Sequence, residues 1–113
     1  MTEDVDKAEV VGETNIDVSK VFDALRECYD PEIPVNIVDL GLIYALRIEG
    51  ANVDVTMSLT AIGCPVAGEV MAEVEQRVRE VPDVEQVNVT LTFDPPWTPD
   101  RMTEDAKWEL GMA

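Results

Sequence analysis

The 113-residue sequence has no histidine, only two cysteines, three lysines, and 5% aromatic residues. Without histidine, one chain cannot build a Ser-His-Asp or Cys-His catalytic centre, nor offer imidazole to a metal. The two cysteines, Cys28 and Cys64, lie 36 positions apart and form neither a disulfide framework nor a CxxC zinc motif. No apolar run approaches the ~18 residues of a membrane span. The acidic start, Met1-Thr2-Glu3-Asp4-Val5-Asp6, lacks the basic and apolar regions of a signal peptide. The expectation is a cytoplasmic protein with reduced thiols and no membrane partner.

Basic residues are also scarce, with 8 against 24 acidic ones and a net charge of −16. Such a surface repels phosphate backbones, which argues against nucleic-acid binding. It suits a salty cytoplasm, where ions screen the self-repulsion.

Residues 1–16 are charged and aperiodic and read as a flexible acidic tail, followed by one domain over 17–113. Asp17 is a credible N-cap for a helix carrying Val18, Val21, Phe22, Leu25 and Cys28-Tyr29 on one face and ending before Pro31. Residues 30–40 form a packed loop with three carboxylates, Asp30, Glu32 and Asp39. Two alternating runs joined at Gly50-Ala51-Asn52 make a hairpin. Val66, Val70, Met71, Val74 and Val78 mark a second helix, and Val87, Val89, Leu91 and Phe93 a third strand. Thr98 and Pro99 open a last helix with Met102, Ala106 and Leu110 on one face, closed by Gly111. Trp108 is expected to cover the sheet. The predicted fold class is α+β in the order α-β-β-α-β-α, a small mixed three-stranded sheet with helices packed on it.

Cys64 is the leading candidate for chemistry. It lies in Thr60-Ala61-Ile62-Gly63-Cys64-Pro65, between a strand-like and a helix-like run. A thiol at a helix N-terminus meets unpaired N–H groups and partial positive charge, which favour the thiolate. Proline suits the first helical position, and Gly63 leaves the sulfur approachable. Asp30, Glu32 and Asp39 can cap local turns, or reach Cys64 as hard ligands or proton acceptors. Thr60 can hydrogen-bond a thiolate or fix the turn. Trp97 reads as a hydrophobic lid held by Pro95-Pro96 and a candidate partner contact, and Cys28 as core. No histidine or well-placed lysine serves as a base, which disfavours a thiol enzyme. One thiolate cannot hold an iron–sulfur cluster alone.

The run Asp30-Pro31-Glu32-Ile33-Pro34-Val35-Asn36-Ile37-Val38-Asp39-Leu40-Gly41-Leu42-Ile43-Tyr44 is very similar to the signature of the SufT and PaaD-like metal–sulfur cluster biosynthesis effectors. The block around Cys64 and the run Phe93-Asp94-Pro95-Pro96-Trp97-Thr98-Pro99-Asp100-Arg101-Met102 resemble its two other motifs. The resemblance spans about residues 18–111 and favours the stand-alone SufT-like form. It implies a non-enzymatic auxiliary role in iron–sulfur cluster assembly, with the family's reactive cysteine at Cys64 and its acidic loop at Asp30, Glu32 and Asp39. The implied cargo is iron or a cluster, bound transiently, with ligands completed by a symmetric homodimer or a partner. The implied partners are assembly proteins and client apo-proteins. The alternative is a metal-free adaptor that binds the same partners through the acidic loop and Trp97.

Overall fold

The computed structural model describes residues 8–29, 33, 35–60 and 67–111. The first strand, β1 (Ala8–Val11), is followed by helix α1 (Val18–Leu25), the hairpin β2 (Ile43–Glu49) and β3 (Asn52–Met57), helix α2 (Ala67–Arg79) and strand β4 (Gln86–Leu91). A 3₁₀ turn (Pro99–Arg101) and helix α3 (Glu104–Glu109) close the fold. The sheet order is β1-β2-β3-β4; β2 and β3 are antiparallel, and the outer pairs are parallel.

The sheet therefore has four strands, not the three read from the sequence. The extra one, β1, lies inside the segment expected to be a tail. Ala-Glu-Val-Val is too short to show alternation, and its two middle residues are exposed. It is held by backbone pairing with Leu46–Glu49 and by packing of Ala8 on the core.

Helix α1 starts where expected. Asp17 accepts from Ser19 N at 3.0 Å and from Ser19 Oγ at 2.7 Å. The helix ends at Leu25, earlier than the apolar spacing predicted. Turn bonds from Glu27 N to Ala24 O and Cys28 N to Leu25 O tighten the exit. Cys28 is buried beneath it, whereas Tyr29 is 52% exposed and forms an isolated bridge with Asn36. The apolar faces of α1 (Val21, Phe22, Leu25) and α2 (Val70, Val74, Val78) pack with Leu46, Ile48, Val53, Val55 and Met57 of the hairpin. Full burial of each such side chain contributes about 1.5–3 kcal/mol.

The hairpin turns through Gly50-Ala51, with Gly50 at φ +61° in the first central position, as a II′-type turn requires. A bulge at Tyr44 shifts the β2–β3 register and takes that ring out of the core-facing alternation. The C-terminal helix is broken in two. Thr98 makes no side-chain cap, and Thr103 instead accepts from Ala106 N at 3.2 Å to start α3. Met102 and Ala106 are buried as the spacing required, and Gly111 closes α3 at φ +74°. Trp108 is 67% exposed, so it does not cover the sheet.

The Ser19 hydrogen bonds, foremost that of its side chain, hold the Asp17 carboxyl below the ordinary aspartate value of 3.8. A depressed carboxylate stabilises the fold above the unfolded pKa and loses that contribution as pH falls through the folded one. Asp17→Asn keeps a cap acceptor and removes the charge. Its urea midpoint should therefore fall less steeply than wild type below pH 3.8; identical acid slopes would remove this role for the charge.

Candidate functional site

The loop leading into β2 is organised by Asn36. Its side-chain oxygen accepts from Val38 N at 3.0 Å and Asp39 N at 2.9 Å, and its amide donates to Asp39 Oδ2 at 2.9 Å. Backbone bonds from Leu40 N to Asn36 O, Gly41 N to Val38 O and Leu42 N to Ile37 O wind the loop tightly. Val35, Ile37, Val38 and Leu40 are buried, so the loop is packed as expected. Asp39 is half-buried, with one carboxylate oxygen occupied by the Asn36 amide.

The segment after β4 closes over this loop. Trp97 Nε1 donates to Leu40 O at 2.6 Å, and Thr103 N donates to Asp39 O at 2.8 Å. Tyr44, displaced by the bulge, donates its hydroxyl to Pro95 O at 2.8 Å, and the Arg101 guanidinium stacks 4.4 Å from its ring centroid. Gly41 adopts φ +77°, and a Cβ there would collide with the Arg101 backbone carbonyl. The position thus needs glycine for both its dihedral and its clearance.

These contacts lie at one end of the sheet. Ser58 N, just past β3, donates to Leu42 O, and Thr92 N, just past β4, donates to Met57 O. The carboxyl ends of the parallel pair β3/β4 and the start of antiparallel β2 therefore share an edge. Carboxyl strand ends are a common location for ligand sites in α/β sheets. A groove of about 1010 Å³ adjoins it, walled by Phe22 and Arg26, by Asp39 and Gly41, by Ile43–Leu46, and by Asp100–Asp105 and Lys107.

The structure brings Asp39 and Trp97 together through the intervening Leu40 carbonyl. Thr60 is half-buried, two residues beyond Ser58, where the chain leaves this edge. Cys64, Asp30 and Glu32 lie outside the described residues. Among the described residues, no group of three or more Cys, Asp or Glu side chains can hold a metal ion. Sequence reasoning missed Asn36, Tyr44, Arg101 and Thr103 as the parts that fix this edge. The Asn36-x-x-Asp39 spacing was a usable turn signal; the bulge at Tyr44 had none.

Cys28 is chemically silent. It is fully buried, its Sγ points to Ala24 O at 3.8 Å, and burial, reinforced by the Glu73 charge, pushes the thiol up to about 12.

A model of the family described as iron–sulfur cluster assembly protein matches residues 19–91. The chain is 51% identical over 90 residues to an Fe-S protein maturation auxiliary factor of Porphyromonas gingivalis, covering 78% of this chain and 85% of that one. It is 36% identical over 85 residues to the Fe-S protein maturation auxiliary factor SufT of Staphylococcus aureus, covering 74% and 97%. Among solved structures, it is similar to the domain DUF59 from Bacillus anthracis, with TM-score 0.77 and 38% identity over 84% of this chain and 92% of that one.

Two outcomes follow from the geometry. Gly41→Ala should destabilise the fold by at least about 2 kcal/mol in urea denaturation, because the collision is with backbone and the dihedral is left-handed; an unchanged midpoint would show that the edge is not held there. In a Cys64→Ser background, Cys28 should resist alkylation at pH 8 until denaturant is added, since the thiolate fraction is vanishing near neutral pH. Rapid labelling in the folded state would contradict its burial.

Proposed function

The chain belongs to the iron–sulfur cluster assembly protein family, and we propose that it is a non-enzymatic auxiliary factor in the maturation of iron–sulfur proteins that uses Cys64 to bind iron or a cluster transiently. The observation that carries this reading is the convergence at one sheet edge. The Asp39 turn, the Trp97 brace and the exit of β3 at Ser58, whose N–H donates to Leu42 O, lie there, and Cys64 follows Ser58 by six residues.

The chemistry assigned to Cys64 is that of a single thiolate ligand. Gly63 and Pro65 flank it in sequence between β3 and α2, and a thiol at a helix N-terminus gains acidity from the partial positive charge there. Because one thiolate cannot hold a cluster, the remaining ligands come from a second protein. An assembly protein supplies them on loading and a client apo-protein on delivery, so the cargo moves by ligand exchange. Asp30 and Glu32 are assigned as supporting carboxylates on the same grounds as in the family signature, and Asp39 is assigned to shaping the loop that carries them. Trp97 and the adjoining groove form the surface offered to partners. The net charge of −16 raises the local concentration of ferrous iron around the molecule. The working compartment is the cytoplasm, where thiols stay reduced.

The test is anaerobic reconstitution of wild type, Cys64→Ser and Cys28→Ala with ferrous iron and sulfide, followed by apo-protein maturation. Cys64→Ser should retain less iron by more than about tenfold and lose delivery while staying folded; Cys28→Ala should retain both. Undiminished maturation by Cys64→Ser would overturn the carrier reading in favour of the metal-free adaptor.

A further inference from the structure

The two edges of the sheet are treated differently. Among the described residues the β1 edge spans Ala8–Val11 and carries Glu9, which faces Arg47 at 3.9 Å. Charge on an edge strand is one way proteins keep it from pairing with another strand. The β4 edge, Gln86-Val87-Asn88-Val89-Thr90-Leu91, has six residues without a charge or a proline, in a chain where 28% of residues are charged. Among the described residues, no strand pairs with its outer side.

A second observation points the same way. The core-facing residues of β3, namely Val53, Val55 and Met57, are buried, but on β4 only Val87 is. Val89 and Leu91 pack on the core yet stay half-exposed, so the apolar layer is left open along this edge. Among the described residues, an unpaired strand edge and a half-exposed apolar strip together describe an unfinished sheet.

We propose that β4 pairs with β4 of a second copy of this chain, antiparallel, to form a continuous eight-stranded sheet. The occupant is a second copy because the strip is neutral. A basic partner would gain more from the acidic surface elsewhere, whereas β4 is where two chains of −16 can meet with no charge in the paired strands. A two-fold axis normal to the sheet makes such a contact self-complementary and closed. Repulsion remains at the strand ends, where Asp83 and Glu85 of one copy approach the end of the other marked by Asp94. Pairing should therefore strengthen as salt screens it. The arrangement also places the two Asp39–Trp97 edges at opposite ends of the joined sheet. Under the proposed function, each would then serve its own client instead of sharing one cluster, although the pairing itself does not depend on Cys64.

The experiment is sedimentation equilibrium of the full chain at rising protein concentration, from about 0.1 M to about 1 M KCl, with hydrogen exchange of the β4 amides. A six-residue pairing falls below the ~800 Å² per partner of a standard interface, so the dimer should grow in with concentration. Wild type should move from the 12.5 kDa chain mass towards twice that mass in high salt, with new protection of β4 amides. Thr90→Glu, at an exposed position, should keep its circular dichroism and remain monomeric throughout. A wild type that stays monomeric at every salt would overturn the proposal. So would a dimer that Thr90→Glu leaves intact without added protection in β4.

Discussion

The contact on which the candidate site of this fold depends is the close approach of the Arg101 backbone to Gly41. Nothing larger than a hydrogen atom fits on that α-carbon, and its φ of +77° suits glycine. Around this point the Trp97 indole, the Thr103 amide and the Tyr44 hydroxyl each tie the C-terminal segment to the β2 side of the sheet. Hydrogen bonds of this kind contribute about 1 kcal/mol apiece. Their joint effect is geometric: the Asp39 turn and the segment after β4 share one set of positions. Asp39 serves this assembly twice, through its carboxylate to Asn36 and through its carbonyl to Thr103.

What was legible in the sequence was whatever depends on local periodicity or local chemistry. The hairpin, α2 and β4 follow from alternation and helical spacing, and Asp17 from its side-chain reach to Ser19 N. What was hidden depends on partners distant in the chain. Strand β1 is held by the ladder that Leu46–Glu49 offers it, and its described residues, with Glu9 and Val10 both exposed, show no alternation to announce that. Helix α1 stops at Leu25 because the chain must bury Cys28 while turning Tyr29 out to meet Asn36. The break at Met102 lets that side chain enter the core and frees Thr103 to bond both Asp39 and Ala106.

The candidate site divides along the same line. The packing of the 30–40 loop was readable from its apolar residues, and Val35, Ile37, Val38 and Leu40 are buried. The bonds that shape it were not, because Trp97 Nε1 to Leu40 O joins residues 57 positions apart and the Asn36 amide to Asp39 depends on how the turn is wound. The two cysteines separate on physical grounds. Cys28 sits under a helix end with its thiol far from ionising, and Cys64 belongs to a strand-to-helix connection flanked by glycine and proline.

Charge separates stability from function in this molecule. Four of its five arginines sit in exposed ion pairs, Arg26 with Asp23, Arg47 with Glu9 and Glu49, Arg77 with Glu27 and Arg79 with Glu75. Exposed pairs contribute about 0–1 kcal/mol each, so they do not hold the fold together. The fifth, Arg101, stacks on the Tyr44 ring beside the candidate site. With so few cations, most of the 24 acidic groups stay uncompensated, and the resulting field opposes compactness. The apolar core works against that repulsion through the buried Val21, Phe22 and Leu25 of α1, Ile37 and Leu40 of the loop, and Leu46, Ile48, Val53, Val55 and Met57 of the hairpin. A surface left this negative draws cations inward and keeps like molecules apart. Its electrostatics therefore bear on what the protein meets more than on how it stays folded.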